Sequence, residues 1–346
     1  MARRLIDLAE QHAQTILLVL MLIGLFAAFL VAFLWIGIPR KTKGTIMAGV
    51  TFSQIYAQDL GLNWREALTS SLDELGVRHF RIPVYWKIVE PEEGRFEWQS
   101  IDYQMDEIGK RGGHVILAIG AKLPRWPECW IPDWATLHGI TGEREARLKY
   151  MDETVKRYKD HPALDSWQVE NEALFPFGLC PKPSRVFLKQ EIQRVRSQDI
   201  VHPIVTTDSG ELSTWLQTAP LVDRLGISVY RVVTTYFGIV WKYTFIPPYW
   251  YARHALLVSP LSDGVFVSEF QMEPWAQDSL AVTPISEQFR TFNPEQMDAN
   301  FRFAERMRIR EIYFWGVEWW YWMKTKQNDD RFWMQAKSFW QKHSIE

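Results

Sequence analysis

The hydrophobic and polar positions of this 346-residue chain fall into two unequal parts. The first part is a run of 21 uncharged residues at positions 16–36, ILLVLMLIGLFAAFLVAFLWI. A helix needs about 20 apolar residues to cross the hydrocarbon core of a bilayer. We therefore predict a transmembrane anchor at residues 15–38, preceded by a short N-terminal segment at 1–14 and followed by a basic linker at 39–43. The second part, residues 44–346, alternates short apolar runs with amphipathic stretches.

A cleaved signal peptide is the alternative interpretation of the apolar run, and its length argues against it. Signal peptides carry an apolar region of ~7–15 residues followed by a small-residue cleavage site, whereas IGIPRKTKG follows this run. The flanking charges leave the orientation open. Arg3 and Arg4 precede the run, and Arg40, Lys41 and Lys43 follow it, which leans slightly toward a cytoplasmic C-terminal side.

Eight β-rich runs follow the anchor, separated by helical stretches or long connections. Asn63 is a candidate N-cap with Gly76 just past the end of its helix, and Asn293-Pro294 opens another helix. Alternating strands and helices predict a parallel sheet, and eight units over about 300 residues fit a (β/α)8 barrel. The predicted strands are residues 44–52, 77–86, 114–120, 164–172, 202–210, 225–230, 264–270 and 311–320.

A doubly wound open sheet is the main rival of the barrel. Such sheets usually carry a glycine-rich nucleotide-binding turn after the first strand, and VTFSQIYAQDLG has none. The sequence thus predicts an α/β protein, a (β/α)8 TIM barrel catalytic domain at residues 44–346 behind one N-terminal transmembrane helix.

The composition of the chain argues against several classes of partner and ligand. A net charge of −2 argues against nucleic acid as a partner. The sequence has no CxxC motif or Cys/His cluster, so neither a metal site nor a cofactor is predicted. The two cysteines, Cys129 and Cys180, follow the third and fourth predicted strands. They would pair in an oxidising compartment and would otherwise remain free thiols.

Polar and aromatic side chains stand at the carboxyl ends of several predicted strands, where the active site of a barrel lies. Two carboxylates meeting there suit glycoside hydrolysis, in which one acid protonates the departing oxygen and the other carboxylate attacks the anomeric carbon. That chemistry requires no metal or cofactor. The residues are Arg81 on the second strand, Asn171 and Glu172 on the fourth, Tyr230 on the sixth, Glu269 on the seventh, and Trp315 on the eighth with Glu318 beyond it.

These motifs, taken in order, resemble clan A of the glycoside hydrolases, the retaining (β/α)8 enzymes that include cellulases, mannanases and β-galactosidases. The matching pieces are GVTFS, FRIPVYW, EPEEGRFEW, QVENE, SEF and FWG, and QVENE resembles the β-galactosidases in particular. The resemblance covers roughly residues 44–340. The chain departs from the cellulase-like families in having no His at the ends of the third and sixth strands, which leaves the family and the substrate open.

The resemblance implies a role for each of the matching residues. It makes Glu172 the general acid/base and Glu269 the nucleophile, with Asn171 on the sugar 2-hydroxyl. It also implies that Arg81 and Tyr230 hold and tune Glu269, and that Trp315 floors the subsite of the cleaved sugar.

Other residues have alternative interpretations. Glu172 and Glu269 could instead be structural carboxylates at the barrel rim. Trp126 and Trp130 are candidate sugar platforms, and Glu318 is a candidate ligand for sugar hydroxyls. Period-two alternation places Glu170 on the interior face below Glu172, with Arg81 as a candidate partner.

The predicted function is that of a membrane-anchored retaining glycoside hydrolase acting on a β-linked oligo- or polysaccharide. A transglycosylase using the same intermediate and a non-catalytic glycan-binding barrel are the alternatives. The aromatic segment 231–257 could cap the barrel mouth, enter the bilayer interface, or be a packed insertion. Interface entry would favour a glycolipid or a nascent polysaccharide as substrate. We expect a single-pass protein with its catalytic domain outside the cytoplasm, where most polysaccharide lies.

Overall fold

The computed structural model describes residues 2–35, 45–235 and 237–343, without the side chains of 2–11, 13 and 14. Residues 36–38 of the predicted anchor and the predicted basic linker at 39–43 lie outside the described residues. The boundaries of the catalytic domain at 44–346 therefore stay a prediction.

Eight parallel strands close into a barrel, which confirms the predicted fold class. The first and last barrel strands pair in register from Met47 opposite Glu311 to Thr51 opposite Trp315. Two further short strands, β7 (Val232–Thr234) and β8 (Val240–Lys242), form a separate antiparallel hairpin after β6. The barrel strands are β1 (Met47–Thr51), β2 (His79–Pro83), β3 (His114–Ile119), β4 (Leu164–Val169), β5 (Ile204–Ser209), β6 (Arg224–Val229), β9 (Val265–Gln271) and β10 (Glu311–Trp315).

Helices connect the strands and cover the outside of the barrel, while α1 precedes it. They are α1 (Ala2–Trp35), α2 (Gln54–Asp59), α3 (Trp64–Asp73), α4 (Trp86–Val89), α5 (Gln99–Lys110), α6 (Asp133–Thr136), α7 (Gly139–Tyr158), α8 (Arg185–Gln198), α9 (Pro248–Val258), α10 (Ile285–Gln288), α11 (Pro294–Arg306), α12 (Val317–Lys326) and α13 (Arg331–His343).

Two helix starts follow the capping rules that the sequence suggested. The Asn63 side chain accepts a hydrogen bond from the Arg65 amide at 3.1 Å and begins α3. Asn293 accepts from the Gln296 amide at 2.8 Å, with Pro294 as the first residue of α11. Both predicted starts are confirmed, because a side-chain oxygen satisfies an amide that the first helical turn leaves unpaired.

All the predicted strands except 264–270 run too far at their carboxyl ends. The prediction carried the eighth strand to residue 320, but β10 ends at Trp315 and α12 begins at Val317 after Gly316 at φ 129°. The apolar run continues because α12 is buried on most of its faces and shows no helical period. Similarly, β4 ends at Val169, three residues before the predicted end.

The floor of the barrel is apolar and its upper part is polar. Ile116, Val205, Phe266 and Tyr313, contributed by four different strands, pack together as one buried cluster. Side chains from alternate strands commonly fill a barrel interior in such layers. Arg81 lies opposite Ile116 in the β2–β3 register and so shares its interior face. The polar residues of the candidate site, described below, lie above this apolar layer.

Candidate active site

Glu269, on β9, is a buried carboxylate with a strong donor on each oxygen. Arg81 Nη1 donates to Oε1 at 2.8 Å, and the Tyr230 hydroxyl donates to Oε2 at 2.9 Å. A buried carboxylate is costly unless it is paired and hydrogen-bonded. The site therefore holds the Glu269 carboxylate in a fixed orientation.

Arg81 connects the two strands that carry the site carboxylates. It has no exposed surface, and its Nε donates to Gln168 Oε1 at 2.6 Å. Its Nη2 donates to Asn171 Oδ1 at 2.6 Å, while Nη1 holds Glu269. The planar guanidinium fixes several acceptors at once. Arg81 thereby sets the position of Glu269 on β9 relative to Asn171 after β4.

Glu172 lies just past the end of β4 in a left-handed backbone conformation, at φ 41°. Its amide donates to Thr207 Oγ1 at 2.7 Å, and Ser228 Oγ donates to its Oε1 at 2.5 Å. Burial and then the charge of Glu269 raise the pKa of Glu172 to about 7, against the lowering effect of the Ser228 hydrogen bond. A carboxyl with such a pKa can both donate and accept a proton near neutral pH.

Asn171 is fixed between the two carboxylates. Its Oδ1 accepts from Arg81 and from Thr207 Oγ1 at 2.9 Å, so its Nδ2 is the end available to donate. That Nδ2 donates to Glu128 Oε2 at 3.2 Å. The hydrogen bonds thus determine which way the amide points.

Glu128 is a third carboxyl of the site, and the sequence analysis missed it. It lies in the loop after β3 at φ 72° and is 7% exposed. Burial, followed by the charges of Glu269 and Glu172, raises its pKa well above the ordinary value for a glutamate. The only sequence signal was its place within PRWPECW, beside Cys129.

The two cysteines form a disulfide that joins the loops after β3 and β4. The sequence analysis had left this pairing open and expected it for a domain outside the cytoplasm. Because Cys129 follows Glu128 directly, the bond also ties the third carboxyl to the segment that leads away from Glu172. Cys180 therefore contributes to the shape of this part of the rim.

Glu170 does not face the barrel interior, and its predicted pairing with Arg81 is wrong. Its Oε1 accepts from the Ala121 amide at 2.8 Å, its Oε2 from the Lys122 amide at 2.5 Å, and its cation is Arg147 of α7 at 3.2 Å. Glu170 has φ 59°, and this left-handed residue breaks the period-two alternation on which the prediction rested.

Trp315 lies at the end of β10 against a cationic cluster. The Arg125 guanidinium is stacked between the Trp315 ring, at 4.0 Å from its centroid, and the Tyr56 ring, at 3.6 Å. The Trp315 Nε1 donates to Glu273 Oε1 at 2.7 Å, and Arg125 donates to the same oxygen. Trp315 is therefore held at both its ring face and its nitrogen, as a rigid wall requires.

Glu318 supports the cluster of Arg125 and Trp315 and does not line the barrel mouth. It has no exposed surface, accepts from Arg125 Nη2 at 3.0 Å and accepts from the Ser53 amide at 2.5 Å. Burial raises its pKa to about 7. The predicted contact of Glu318 with sugar hydroxyls is thus corrected, because the Glu318 carboxylate is fully buried and both its oxygens are bonded within the protein.

Trp126 stands at the rim and begins a row of aromatic rings. Its side chain is 64% exposed and packs edge-on against Phe177 at 6.2 Å between centroids. Phe177 in turn lies 6.3 Å from Trp275, which packs on Tyr230 at 5.2 Å. The row leads from solvent to the ring that binds Glu269. Phe177 and Trp275 were not predicted.

Trp130, the other predicted platform, is a core residue in the structure. It is 8% exposed and packs on Tyr85 at 4.3 Å in a cluster with Ala118 and Leu123. The local sequence PECWIP could not distinguish a ring that points outward from one that folds under the loop. Trp130 therefore supports the β3 loop from within.

No metal centre is visible in the part of the chain that the structure describes. Its residues contain no group of three or more His, Cys, Asp or Glu side chains arranged to hold a metal ion. His79 and His114 stack at 5.3 Å at the amino ends of β2 and β3, away from the carboxylates.

The comparisons with known sequences point to one enzyme family over part of the chain. Residues 62–139 match the model of glycoside hydrolase family 42, described as beta-galactosidase. Beta-galactosidase Pbg of Clostridium perfringens is 34% identical over 126 residues, 31% of this chain and 18% of that enzyme. Beta-galactosidase GanA of Bacillus subtilis is 27% identical over 164 residues, 39% of this chain and 24% of that enzyme. The match thus spans less than a quarter of either relative.

Solved structures extend the similarity to most of the chain at the level of the fold. A beta-galactosidase from Rahnella sp. R3 superposes with a TM-score of 0.60 at 13% identity, covering 89% of this chain and 57% of that one. GH5_18 from Streptomyces cattleya, in complex with GlcNAc, gives 0.59 at 13% identity, covering 88% and 82%. These findings confirm the resemblance: the chain has the (β/α)8 fold of the clan A glycoside hydrolases, and its residues 62–139 match the beta-galactosidase family.

Proposed function

We propose that this protein is a retaining glycosidase that cleaves a β-linked sugar, with Glu269 as nucleophile and Glu172 as general acid/base. The observation that carries the proposal is the contrast between these two buried carboxyls. Arg81 and Tyr230 each donate a hydrogen bond to the Glu269 carboxylate, whereas burial and the charge of Glu269 raise the pKa of Glu172 to about 7. Two carboxyls whose environments differ in this way divide naturally into a base and an acid.

In the first step, a carboxylate oxygen of Glu269 attacks the anomeric carbon while Glu172 gives its proton to the departing oxygen. The products are a covalent glycosyl ester on Glu269, a released alcohol and an ionised Glu172. Esterification removes the negative charge of Glu269. Because that charge raises the pKa of Glu172, the pKa falls in the intermediate and stabilises the carboxylate form.

In the second step, Glu172 acts as the base. It takes a proton from water, the water oxygen attacks the anomeric carbon, and the ester bond to Glu269 breaks. Glu269 regains its charge, which again raises the pKa of Glu172 and restores the protonated acid. The mutual dependence of the two carboxyls thus returns the site to its starting state.

The hydrogen bonds of Asn171 support a role for Asn171 and Glu128 in binding the reacting sugar. The Asn171 Nδ2 is directed away from Arg81 and toward Glu128, and a hydroxyl entering between them would accept from the amide and donate to the carboxyl. Hydrogen bonds to the 2-hydroxyl strengthen in the transition state of this reaction. We assign that contact to Asn171, with Trp315 as the wall of the same subsite.

The relatives suggest which substrate to try first. Several of them are named beta-galactosidases, so aryl β-galactosides are the first choice, followed by other aryl β-glycosides. The row of rings from Trp126 to Trp275 supports transglycosylation as a second candidate, since it offers an apolar surface to an acceptor sugar. Product analysis with and without an added saccharide acceptor distinguishes the two.

The N-terminal helix supports an anchored protein. Its segment Thr15–Trp35 is long and apolar enough to cross a membrane, and none of it is buried inside the protein. The Cys129–Cys180 disulfide fits an oxidising compartment, so we place the barrel outside the cytoplasm. Protease treatment of spheroplasts should digest the barrel; protection of the barrel until the membrane is opened would reverse the orientation.

The test of the chemistry compares Glu172→Gln and Glu269→Gln in the full chain, reconstituted in nanodiscs. Both should lower kcat on aryl β-glycosides by more than about a hundredfold while the fold is kept. Azide should restore turnover of a Glu269→Ala variant, because a small anion takes the place of the lost nucleophile.

Glu311→Gln is the matched control. Glu311 is a half-buried carboxyl that pairs with Arg224 at the opposite, amino end of the barrel strands. It should leave kcat close to that of the unchanged protein. Full hydrolysis by both site variants would exclude the proposed mechanism.

A further inference from the structure

An apolar surface borders the barrel mouth on one side, and we name it the rim patch. It comprises the tip of the β7–β8 hairpin, the strand and loop that follow, and the first turn of α9. Its most exposed residues and their exposed fractions are Phe237 at 84%, Ile239 at 60%, Trp241 at 49% and Phe245 at 53%. Exposed aromatic and aliphatic side chains at this density mark an interaction surface.

The segment that carries the rim patch has charge of one sign. The sequence from 231 to 262 contains no Asp or Glu and three strong cations, Arg231, Lys242 and Arg253. Arg231 is buried, whereas Lys242 is exposed on β8. Apolar and aromatic side chains beside cations are typical of surfaces that lie in the headgroup region of an anionic bilayer.

The end of the apolar helix α1 contacts this same region. The Trp35 ring stacks on Phe245 at 6.0 Å between centroids, and the Tyr249 hydroxyl donates to the Trp35 carbonyl at 2.6 Å. Arg253 donates to the Phe33 carbonyl. Trp35 is the last residue of the segment that is long enough to span a membrane. The contacts therefore hold the rim patch at the level where the span ends.

The rim patch is also joined to the active-site wall. The hairpin follows the carboxyl end of β6, so it and the first turn of α9 lie at the mouth end of the barrel. Thr234 Oγ1 donates to the Trp275 carbonyl at 3.1 Å, and Trp275 packs on Tyr230. The surface beside the anchor and the ring that holds Glu269 thus belong to one connected structure.

We propose that the rim patch inserts into the bilayer interface beside the anchor, so that the barrel mouth opens at the membrane surface. The substrate class that fits this placement is a saccharide attached to a lipid or held against the headgroups. This inference rests on the proposed anchor and glycosidase activity, but insertion itself needs no turnover. A second copy of the chain on the rim patch is the competing occupant.

The test places a fluorescent label at the rim patch of the full chain in nanodiscs. Ile239→Cys gives one free thiol, because the two native cysteines form a disulfide. Ile200→Cys is the matched control, since Ile200 is 89% exposed and lies between α8 and β5 at the opposite end of the barrel. Lipids with a spin label near the headgroup should quench the label at 239 on the order of fivefold more than the label at 200.

Two results would overturn the proposal. One is equal, weak quenching at both positions. The other is a loss of fluorescence at position 239 that depends on the number of protein copies per nanodisc and not on the spin-labelled lipid. That result would indicate that a second copy of the chain occupies the rim patch. Lys242→Glu supplies a further check: it should reduce quenching in nanodiscs with anionic lipid and leave it unchanged in zwitterionic ones. None of these readouts depends on hydrolysis, so an inactive protein would still test the insertion.

Discussion

Glu170 and Glu172 lie two residues apart at the end of β4 and serve different parts of the molecule. Positive φ at both positions takes the chain out of the strand conformation, so that Glu170 turns to two backbone amides and Arg147 while Glu172 turns to Ser228. Left-handed backbone at a bulky residue is unfavourable and persists only where its surroundings hold it. The strain at this point separates the supporting carboxylate of Glu170 from that of Glu172, the proposed general acid/base.

At the residue scale, the Ser228 hydrogen bond should set the upper pH limit of activity. Ser228 donates to the Glu172 carboxylate and so lowers the pKa of that group. Ser228→Ala removes the donor, raises the pKa of Glu172 and keeps it protonated to higher pH. The alkaline limb of the pH profile of kcat/KM should move up by about one pH unit.

Ser166→Ala is the control for that shift, because Ser166 bonds Asp165 near the start of β4, far from Glu172. The pH profile of kcat/KM for Ser166→Ala should match that of the unchanged protein. If the alkaline limb of Ser228→Ala stays in place or moves to lower pH, Glu172 is not the general acid.

Arg81 should contribute to stability as well as to catalysis. Arg81→Leu leaves the Glu269 carboxylate buried and without its cation, which should lower the free energy of unfolding by about 3–5 kcal/mol. Adding Glu269→Gln removes the unpaired charge, so the double variant should be more stable than Arg81→Leu alone. Denaturant unfolding of the full chain in detergent measures both. A double variant less stable than the single one would contradict this account of the pair.

The sequence predicted the site residues at or just beyond the strand ends and missed Glu128 and Arg125 in the loop after β3. Arg81, Glu172 and Glu269 were identified because a barrel brings its strand ends together whatever the loops do. Glu128 and Arg125 reach the site through the long segment after β3, whose path depends on contacts distant in sequence. The period-two rule gave the wrong orientation for Glu170, because no feature of the local sequence indicates a glutamate with positive φ.

At the scale of elements, the junction between β10 and α12 fixes Trp315 and Glu273. Gly316 joins them at φ 129°, and a Cβ there would lie 2.7 Å from the Glu273 Cβ and 2.9 Å from the Met272 carbonyl. Gly316→Ala should displace this junction and lower stability by more than the roughly 1 kcal/mol that a left-handed alanine costs in open space. It should also lower kcat/KM, since Trp315 and Glu273 move with it.

Gly61→Ala provides the comparison for Gly316→Ala. Gly61 also has positive φ, at 67°, but a Cβ there would meet nothing within 4 Å. It should show the backbone cost alone, with kcat/KM unchanged. Equal effects of the two substitutions on stability and kcat/KM would show that the close contacts around Gly316 do not matter. Thermal unfolding and aryl β-glycoside kinetics provide the two readouts.

At the scale of the whole molecule, the two ends of the barrel differ in chemistry. The amino end carries ion pairs such as Arg224–Glu311 and the stacked His79 and His114. The carboxyl end carries the carboxylates, the aromatic row, the rim patch and the contact with α1. The barrel and the long apolar N-terminal helix were each predictable from the chain. Their arrangement was not, because it depends on Trp35 meeting Phe245, 210 positions later.

This arrangement predicts that the rim patch matters for membrane substrates and not for soluble ones. Trp241→Ser removes an apolar ring from the patch without touching the carboxylates, and Ile200→Ser changes an exposed apolar residue at the far end. In nanodiscs, Trp241→Ser should slow hydrolysis of a long-chain alkyl β-galactoside by on the order of threefold while a soluble aryl β-galactoside is cleaved as before. Ile200→Ser should affect neither. Equal loss on both substrates would place Trp241 in the catalytic structure, and loss on neither would mean that the mouth does not work at the membrane surface.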